Sequence, residues 1–272
     1  MNPGVLTVFR WELIKLRYLK RTYLGLTVAI VIPILFVVGT AARGGGPRDV
    51  GFGSYIHKSG LAIPLVIMLF GAIWLFPLMV SLVAGDIFAS EDHNGTLKTI
   101  LTRSLERSQI FTGKSLAAAA YGIFATALCV TTAVIAGCIE SGFNPLQSLS
   151  GTLVSAPKAL ALVYAALAVY LVPMATVISI GLLLSVVTRN SAAAVVGTLM
   201  FSIVLQILAI IPGLGGLQPY LLSTQFNAWE GLLRTPTDWT PIVRELWVCA
   251  LYGVPALVAA FLVFLRRDVA GG

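Results

Sequence analysis

Long runs without a charged side chain constrain this chain more than any other feature of its sequence. Asp, Glu, Lys and Arg are absent from six stretches, at positions 22–42, 59–85, 115–139, 159–188, 190–229 and 246–265. A transmembrane helix needs about 20 mostly apolar residues, and every stretch reaches that length. Charged residues make up only 11% of the chain, whereas an ordinary soluble domain has about 25%. We therefore predict an all-α polytopic membrane protein, and the composition argues against a cytosolic enzyme.

The run at 190–229 is too long for one helix and contains a break. Residues 212–216, Pro-Gly-Leu-Gly-Gly, end the span that starts near residue 191, because Gly and Pro interrupt helices. Residues 220–233 are apolar but short for a crossing, so we interpret them as a re-entrant or interfacial segment. The sequence thus predicts six spans, at about 23–41, 61–85, 115–138, 159–187, 191–211 and 246–265.

The Lys and Arg residues are unevenly distributed between the two sides of this topology. Twelve of the 18 lie on the side of both termini, namely Arg10, Lys15, Arg17, Lys20, Arg21, Lys98, Arg103, Arg107, Lys114, Arg189, Arg266 and Arg267. The other side holds Arg43, Arg48, Lys58, Lys158, Arg234 and Arg244. Cytoplasmic loops carry the excess of Lys and Arg, so we predict both termini in the cytoplasm and a multi-pass protein of the plasma (inner) membrane. The net charge of +7 then follows from topology and does not indicate a nucleic-acid partner.

The first 22 residues are predicted to form an elbow helix in the plane of the membrane. Over residues 4–21, one helical arc is apolar and a neighbouring stripe is basic, and Trp11 and Tyr18 lie together on another side. A basic amphipathic helix with aromatic residues lies in the membrane interface, although a solvated lead-in segment is the alternative. The apolar arc holds Val5, Leu6, Phe9, Leu13 and Leu16, and the basic stripe holds Arg10, Arg17 and Arg21.

Residues 23–272 are predicted to form a single transmembrane domain. Its longest cytoplasmic loop covers residues 86–114, and its longest extracytoplasmic loop covers residues 212–244. Trp229, Trp239 and Trp247 cluster in or beside the outer loop. Trp is enriched at headgroup depth, where we expect these three rings.

A short apolar patch distinguishes the cytoplasmic loop. Gly95 breaks the helix that continues from the second span, and Thr96 can cap a new helix. Leu97, Ile100 and Leu101 then share one face of that helix. Such a patch in polar surroundings suggests docking to a partner, and the alternative is that it packs back onto the membrane domain.

The predicted spans hold few polar residues. No charged or histidine side chain lies well inside any of them, which argues against a proton-driven carrier but leaves sodium coupling through backbone carbonyls open. Thr198, Ser202 and Gln206 form a stripe on the fifth span. The stripe either lines a pathway or subunit interface, or Thr198 and Ser202 bond their own helix and only Gln206 matters. We find no catalytic constellation or metal-ligand spacing, so no enzymatic activity is predicted for this chain.

Two segments of the sequence resemble a known protein family. Within the loop, Glu91-x-x-x-Gly95-Thr96-Leu97, then Leu101, Arg107 and Gly113-Lys114 resemble the coupling region of ABC transporter permeases of the ABC-type-2 exporter class. The N-terminal Trp11-Glu12-Leu13-x-Lys15-Leu16 is similar to the start of such permeases.

The resemblance implies a half-transporter without its own ATPase. Two permease chains, identical or different, would pair in the lipid bilayer, and each would dock a separate ATP-binding-cassette subunit that binds ATP and Mg. The loop at 91–104 would be the coupling helix, with Glu91, Gly95, Thr96, Leu97, Ile100, Leu101 and Arg107 as its coupling residues. The substrate would be a hydrophobic or amphiphilic molecule. A stand-alone sodium-coupled or facilitative carrier and a non-transporting scaffold remain the alternatives.

Overall fold

The structure, a computed structural model, describes residues 3–43, 52–93, 105–211, 213 and 215–266. These ranges are mostly α-helical, with one short antiparallel hairpin. The helices are α1 Pro3–Tyr18, α2 Lys20–Arg43, α3 Ala62–Gly71, α4 Leu75–Ala84, α5 Ala89–His93, α6 Arg107–Ser141, α7 Ala156–Thr188, α8 Ser191–Ile210, α9 Leu222–Gln225 and α10 Thr240–Leu265. The strands are β1 Leu146–Gln147 and β2 Leu153–Val154, and 3₁₀ turns cover Gly53–Tyr55, Gln218–Tyr220 and Ala228–Leu233.

The long apolar helices agree with a multi-pass membrane protein. In the described part of the chain, five helices are long and apolar enough to cross a membrane, namely α2, α6, α7, α8 and α10. They correspond to five of the six predicted spans. The pair α3 and α4 passes the same test only as a unit, because the two helices are bent by 62°. The count is therefore five spans, or six if the bent pair crosses the membrane.

The bend divides the span predicted at 61–85, and its position has a local cause. Pro77 is the third residue of α4. Proline has no N–H, and its ring clashes with the carbonyl of the residue four positions earlier, which is Ile73. Both effects favour a break before Pro77, and α3 ends at Gly71 while α4 starts at Leu75. Proline alone does not force the break, because α2, α7 and α10 continue through Pro33, Pro173 and Pro255. Pro64 lies in the first turn of α3, where proline is tolerated.

The core lies around the two longest helices, α6 and α7. The first two helices, α1 and α2, pack against α6, whereas α8 and α10 pack against α7. The bent pair fills the space among α2, α6, α7 and α8. Nearly every side chain of α3 and α4 is consequently buried.

The N-terminal helix packs through a different stripe from the one that the sequence predicts. Its fully buried residues are Val8, Glu12 and Leu16, which follow one another at intervals of one helical turn. Of the predicted apolar arc, only Leu16 is fully buried, and the other members are half-buried. The helix crosses α6 at Gly113, where an added Cβ would lie only 2.7 Å from the Cβ of Val8. The absence of a side chain at Gly113 therefore lets α1 approach α6 closely.

The segment from Gln218 to Leu233 covers one end of the bundle. It packs against α7, α8 and α10, and Trp229 on it is completely buried and stacks on Phe52 with ring centroids 6.3 Å apart. The Trp229 ring therefore packs in the protein core and not on its surface. Trp239 is 61% exposed and Trp247 is also exposed, as expected for residues at a membrane surface.

Candidate functional site

Four charged side chains from three separate helices meet at one end of the bundle. Lys114 Nζ of α6 lies 2.7 Å from Glu12 Oε1 of α1 and 2.6 Å from Glu91 Oε1 of α5. Lys15 Nζ of α1 lies 2.6 Å from the same Glu91 oxygen and 3.7 Å from Glu12 Oε2. We call these four residues the ion cluster. It joins the N-terminal helix, the start of the predicted cytoplasmic loop and the first turns of α6.

The ion cluster is largely removed from solvent and is balanced in charge. Lys114 is 1% exposed, and Glu12 and Glu91 are also buried. Burying the two carboxylates and the Lys114 ammonium group is tolerable only if they remain paired, and removing one partner typically costs about 3–5 kcal/mol. The Lys15 side chain is 35% exposed. Burial disfavours the charged form of Lys15, but attraction to Glu91 and Glu12 outweighs it and raises the pKa of Lys15 above its ordinary value. The cluster therefore connects α1, α5 and α6 through paired charges.

A second group of polar contacts lies beside the ion cluster. Asp86, just after α4, is buried and pairs with Arg21 at the start of α2. The Ser191 hydroxyl at the start of α8 donates to the same carboxylate and accepts from Arg21. Arg21, a residue of the predicted membrane-interface elbow, thus also forms an ion pair within the chain. These contacts connect α2, α8 and the segment that leads into the loop.

The segment from Asp86 to Glu91 is also held by α7 and by aromatic contacts. The Ser185 hydroxyl oxygen of α7 is buried and accepts hydrogen bonds from the backbone N–H groups of Phe88 and Ala89, at 3.2 and 3.0 Å. The Phe88 ring lies 5.3 Å from that of Phe111 on α6 and 5.1 Å from that of Phe264 on α10. Lys114 Nζ lies 5.7 Å from the centroid of the Phe88 ring. The entrance to the loop is thus fixed to α1, α6, α7 and α10.

The exit from the loop is anchored as well. Arg107, the first residue of α6, donates a hydrogen bond of 2.8 Å to the carbonyl of Leu265 at the end of α10. A cation at a helix C-terminus is favoured by the helix dipole. Glu91 and Arg107, both predicted as coupling residues, therefore bind the two flanks of the loop to the bundle. Other predicted coupling residues lie outside the described residues, namely Gly95, Thr96, Leu97, Ile100 and Leu101.

The remaining predicted elbow residues lie on the outer surface of α1. Arg10 and Arg17 are exposed, and Trp11 is about half exposed. These three residues are available to a membrane surface, whereas Glu12 and Lys15 on the same helix turn inward to the ion cluster.

The polar stripe on α8 is directed into this chain. Thr198 and Ser202 are buried and donate to the carbonyls of Ala194 and Thr198, at 2.7 and 3.2 Å. Such bonds within one helix satisfy hydroxyl groups without any partner chain. The two hydroxyl groups therefore have partners within α8, as in the alternative in which only Gln206 matters. Gln206 is half-buried.

One buried acidic residue lies near the start of a candidate span. The last helix begins at Thr240, before the predicted start at residue 246, and it includes Glu245. Glu245 has 0% exposure, and neither carboxyl oxygen has a hydrogen-bond partner among the described residues. The sequence does not reveal this position, because a charged residue marks the boundary of an apolar run.

Several residues of the site were missing from the predicted set. Glu12, Lys15, Asp86 and Lys114 all form its ion pairs. The sequence does point to Glu12, because this charged residue lies on the same helical face as the apolar residues Val8 and Leu16. Asp86 and Lys114 are charged residues at the ends of apolar runs, where membrane anchors are equally expected, and Lys15 lies among other basic residues of the N-terminal helix.

Comparison with known proteins gives a family but no activity. No curated protein matches the chain. A family model described as a protein of unknown function, DUF2705, matches residues 26–270. The match starts within α2, so α1 with Glu12 and Lys15 precedes it. Because the matched region covers most of the 272 residues, the chain belongs to the DUF2705 family.

Proposed function

We propose that this chain is the permease subunit of an ATP-binding-cassette exporter of the ABC-type-2 class, located in the plasma (inner) membrane with both termini in the cytoplasm. A separate ATPase subunit docks on the loop at 91–104 and supplies the ATP and Mg chemistry. The observation that supports this most is the ion cluster, which ties the entrance of that loop to α1 and α6 through buried charge pairs.

A coupling loop must transmit a displacement to the helices of the membrane domain. Energetic coupling between distant sites passes through packed side chains and ion-pair networks. Glu91 connects the entrance of the loop to Lys15 and Lys114, and Arg107 connects its exit to Leu265. A force applied to the loop would therefore act on α1, α6 and α10 together. An irregular surface loop without such anchors would move independently of the bundle.

The exposed faces of the bundle support pairing with a second permease chain. Among the spans of the described chain, α2 and α8 are the least buried, and the Arg21–Ser191 contact places their first residues side by side. Large apolar side chains remain exposed along both helices, including Ile34, Leu35 and Val38 on α2 and Met200 and Val204 on α8. The proposed dimer buries this surface, and its remaining faces contact the lipid bilayer.

A stand-alone carrier is the second candidate, and two observations favour it. Glu245 is an acidic residue buried within a span, and such residues mark ion pathways. The bent pair α3 and α4 resembles a broken span of a carrier. Carriers of that kind have broken spans in corresponding positions of two repeats, and the described chain contains one such pair. A non-transporting scaffold gains no specific support from the structure.

Co-purification separates these candidates. The full chain, tagged at its C-terminus and extracted in mild detergent, is expected to bring with it a chain that photolabels with 8-azido-ATP in the presence of Mg. The matched control is Leu97→Ala with Leu101→Ala, which leaves every described helix unchanged and should lose the ATP-binding partner. Purification without any ATP-binding chain, together with transport by the purified chain alone, would establish the carrier.

A further inference from the structure

The N-terminal helix lies at the level where its neighbours enter the apolar layer of the bundle. With 16 residues, α1 is shorter than the length of about 20 residues that a crossing needs. It contacts α6 at Gln109, Gly113 and Lys114, which come just before the charge-free run at 115–139. The candidate span α2 starts at Lys20, directly after α1. Because both neighbouring spans begin beside it, α1 lies at the depth of the lipid headgroups.

The side chains of α1 divide between two opposite faces. Glu12 lies on the buried face, between Val8 and Leu16. At about 3.6 residues per turn, the exposed side chains fall within an arc of about 120° on the other side of the helix. Ile14 is 52% exposed and Tyr18 is 83% exposed. The large side chains of this arc, which we call the outer face, are those of Arg10, Trp11, Ile14, Arg17 and Tyr18.

Positive charge on the outer face is not balanced by an acidic residue. Arg10 and Arg17 are exposed, and among the residues that the structure describes neither forms an ion pair. Glu12 is the only acidic residue among the first 48 of the sequence, and its carboxylate is buried in the ion cluster. The outer face therefore combines cations with large apolar and aromatic groups. A partner that fits it is negatively charged and has an apolar layer beneath its charge.

We propose that the outer face of α1 binds anionic phospholipids, with the Arg10 and Arg17 guanidinium groups on headgroup phosphates and with Trp11, Ile14 and Tyr18 inserted between the lipids. Guanidinium groups pair with phosphate oxygens in a bidentate geometry, and Trp and Tyr rings favour headgroup depth. A zwitterionic headgroup also offers a phosphate, but its own ammonium group cancels the charge, so a lipid with net negative charge is preferred. Binding requires only a bilayer and does not rest on the proposed function.

The two arginines can hold two separate headgroups. They are seven positions apart in the sequence, which corresponds to about 10 Å along the helix axis. The opposite face of the same helix carries Glu12 into its pair with Lys114. Anionic lipid thus holds α1 from outside, whereas the ion cluster holds it from inside. The anionic lipid content of the membrane is thereby linked to the stability of the contact at the base of the loop.

Site-specific photocrosslinking tests the lipid preference on the full chain, without any ATPase, in nanodiscs that contain equal amounts of phosphatidylglycerol and phosphatidylcholine. p-Benzoylphenylalanine replaces Ile14, both lipids carry the same acyl chains, and lipid adducts are counted by mass spectrometry. One Lys or Arg near an anionic surface contributes roughly fivefold in affinity. We therefore expect phosphatidylglycerol adducts to exceed phosphatidylcholine adducts by about fivefold or more.

Matched variants separate charge from a general effect on the helix. Arg10→Gln with Arg17→Gln should bring the ratio of adducts close to one, whereas Arg10→Lys with Arg17→Lys keeps the charge and should keep the preference. Arg234→Gln, at an exposed arginine after the 3₁₀ turn that ends at Leu233, should change nothing. The same photoreactive residue in place of Phe124, on an exposed part of α6 within its apolar run, should give a ratio close to one.

The consequence for stability is measured on the chain without the photoreactive residue. The unfolding midpoint should be several degrees higher in phosphatidylglycerol than in phosphatidylcholine nanodiscs. The difference should vanish in the double Gln variant and at about 1 M NaCl, where the Debye length is about 3 Å. Equal adducts of the two lipids at Ile14 would overturn the proposal, and so would adducts to a second copy of the chain in place of lipid. Loss of the preference in the double Lys variant would overturn its electrostatic origin. Because no ATPase takes part, these outcomes are independent of the co-purification that tests the proposed function.

Discussion

Lys114 Nζ lies 2.6 Å from Glu91 Oε1, and this pair closes the loop between α5 and α6 at its base. The two residues flank the segment at 94–104, so the pair fixes the distance between the entrance of the loop and the helix that follows it. Glu12 adds the N-terminal helix to the same contact. A displacement of Glu91 relative to Lys114 therefore moves α1 or α6 or breaks buried charge pairs.

Replacement of Lys114 tests directly how much these ion pairs stabilise the fold. Lys114→Met leaves Glu12 and Glu91 buried with Lys15 as their only remaining cation in the cluster, and loss of one partner of a buried pair costs about 3–5 kcal/mol. We expect thermal unfolding of the purified chain to begin roughly 10 °C lower, since 1 kcal/mol moves the midpoint by about 2–4 °C in a chain of this size.

Lys20→Met provides the matched control for this change, because Lys20 is exposed at the start of α2. The double variant Lys114→Met with Glu12→Leu restores the charge balance and should recover part of the loss. Equal thermal stability of Lys114→Met and wild type would mean that the ion cluster does not stabilise the fold.

Close packing of α1 on α6 gives a second prediction. A Cβ at residue 113 would lie 2.7 Å from Val8 Cβ and 3.1 Å from the Phe9 backbone nitrogen. Gly113→Ala should destabilise the chain by about 1–3 kcal/mol through overpacking, and adding Val8→Ala should reverse much of the effect. Thermal unfolding of the single and double variants measures both changes.

The matched glycine control lies in α2. Nothing lies within 4 Å of a Cβ built at Gly39, and Ala is favoured over Gly in a helix interior by about 1 kcal/mol. Gly39→Ala should therefore leave stability unchanged or raise it. A loss of stability at Gly39 as large as that at Gly113 would show that the α1–α6 contact is not the cause.

The positions of the spans could be predicted because hydropathy dominates in membrane proteins, where backbone groups must be satisfied within each helix. The ion cluster could not be predicted in this way. Its members are separated by 102, 23 and 76 positions in the chain, and their meeting depends on how α1 lies across α6. The break at Pro77 was foreseeable only as a kink, since its 62° size depends on the neighbouring helices.

The stripe on α8 shows the same limit at the scale of one helix. Spacing correctly placed Thr198 and Ser202 on one face, but it could not decide whether that face meets another chain or this one. The structure turns it toward α4 and α7, where Thr198 Oγ1 would lie 3.3 Å from a Cβ built at Gly181. Gln206 is half-buried, so it is the residue of the stripe that can contact a partner chain.

Substitution at Gln206 separates those roles. Gln206→Leu should alter transport or dimer stability if the side chain faces protein or water, because the polar contacts of the amide are then lost. A Gln in contact with lipid would instead tolerate Leu or make the chain more stable on replacement. Thr198→Val keeps the shape of a side chain that bonds only its own helix, and it should change neither property. Unchanged assembly, measured by crosslinking, together with unchanged transport in Gln206→Leu would remove any functional role for this residue.

The uneven distribution of Lys and Arg predicts the topology. Tags at residues 1 and 272 should both be accessible from the cytoplasm, and a tag inserted near Pro47 should be accessible from outside, because cytoplasmic loops carry the excess of these residues. Protease protection in sealed vesicles of known orientation measures all three positions. A cytoplasmic signal near Pro47 would contradict the six-span topology and the orientation of the proposed ATPase dock.

Coupling through the loop gives the final prediction. If Leu97, Ile100 and Leu101 fill a groove on an ATPase, they form a small hot spot, and truncation of a docked anchor costs about 2 kcal/mol or more. That cost equals roughly a thirtyfold loss of affinity at about 1.4 kcal/mol per decade. Leu97→Ala with Leu101→Ala should therefore abolish transport and substrate-stimulated ATP hydrolysis, while the chain still inserts in the membrane at normal levels.

Glu91→Ala should impair the same coupling by a different route. Glu91 contacts Lys15 and Lys114, so its loss loosens the base of the loop and lowers thermal stability, whereas the double Ala variant should unfold at the wild-type temperature. The ATPase should thus remain bound to Glu91→Ala but hydrolyse ATP without stimulation by substrate. If the double Ala variant retains its ATPase and transports normally, the loop is not the dock. A stand-alone carrier would then explain Glu245 and the bent pair better than a permease does.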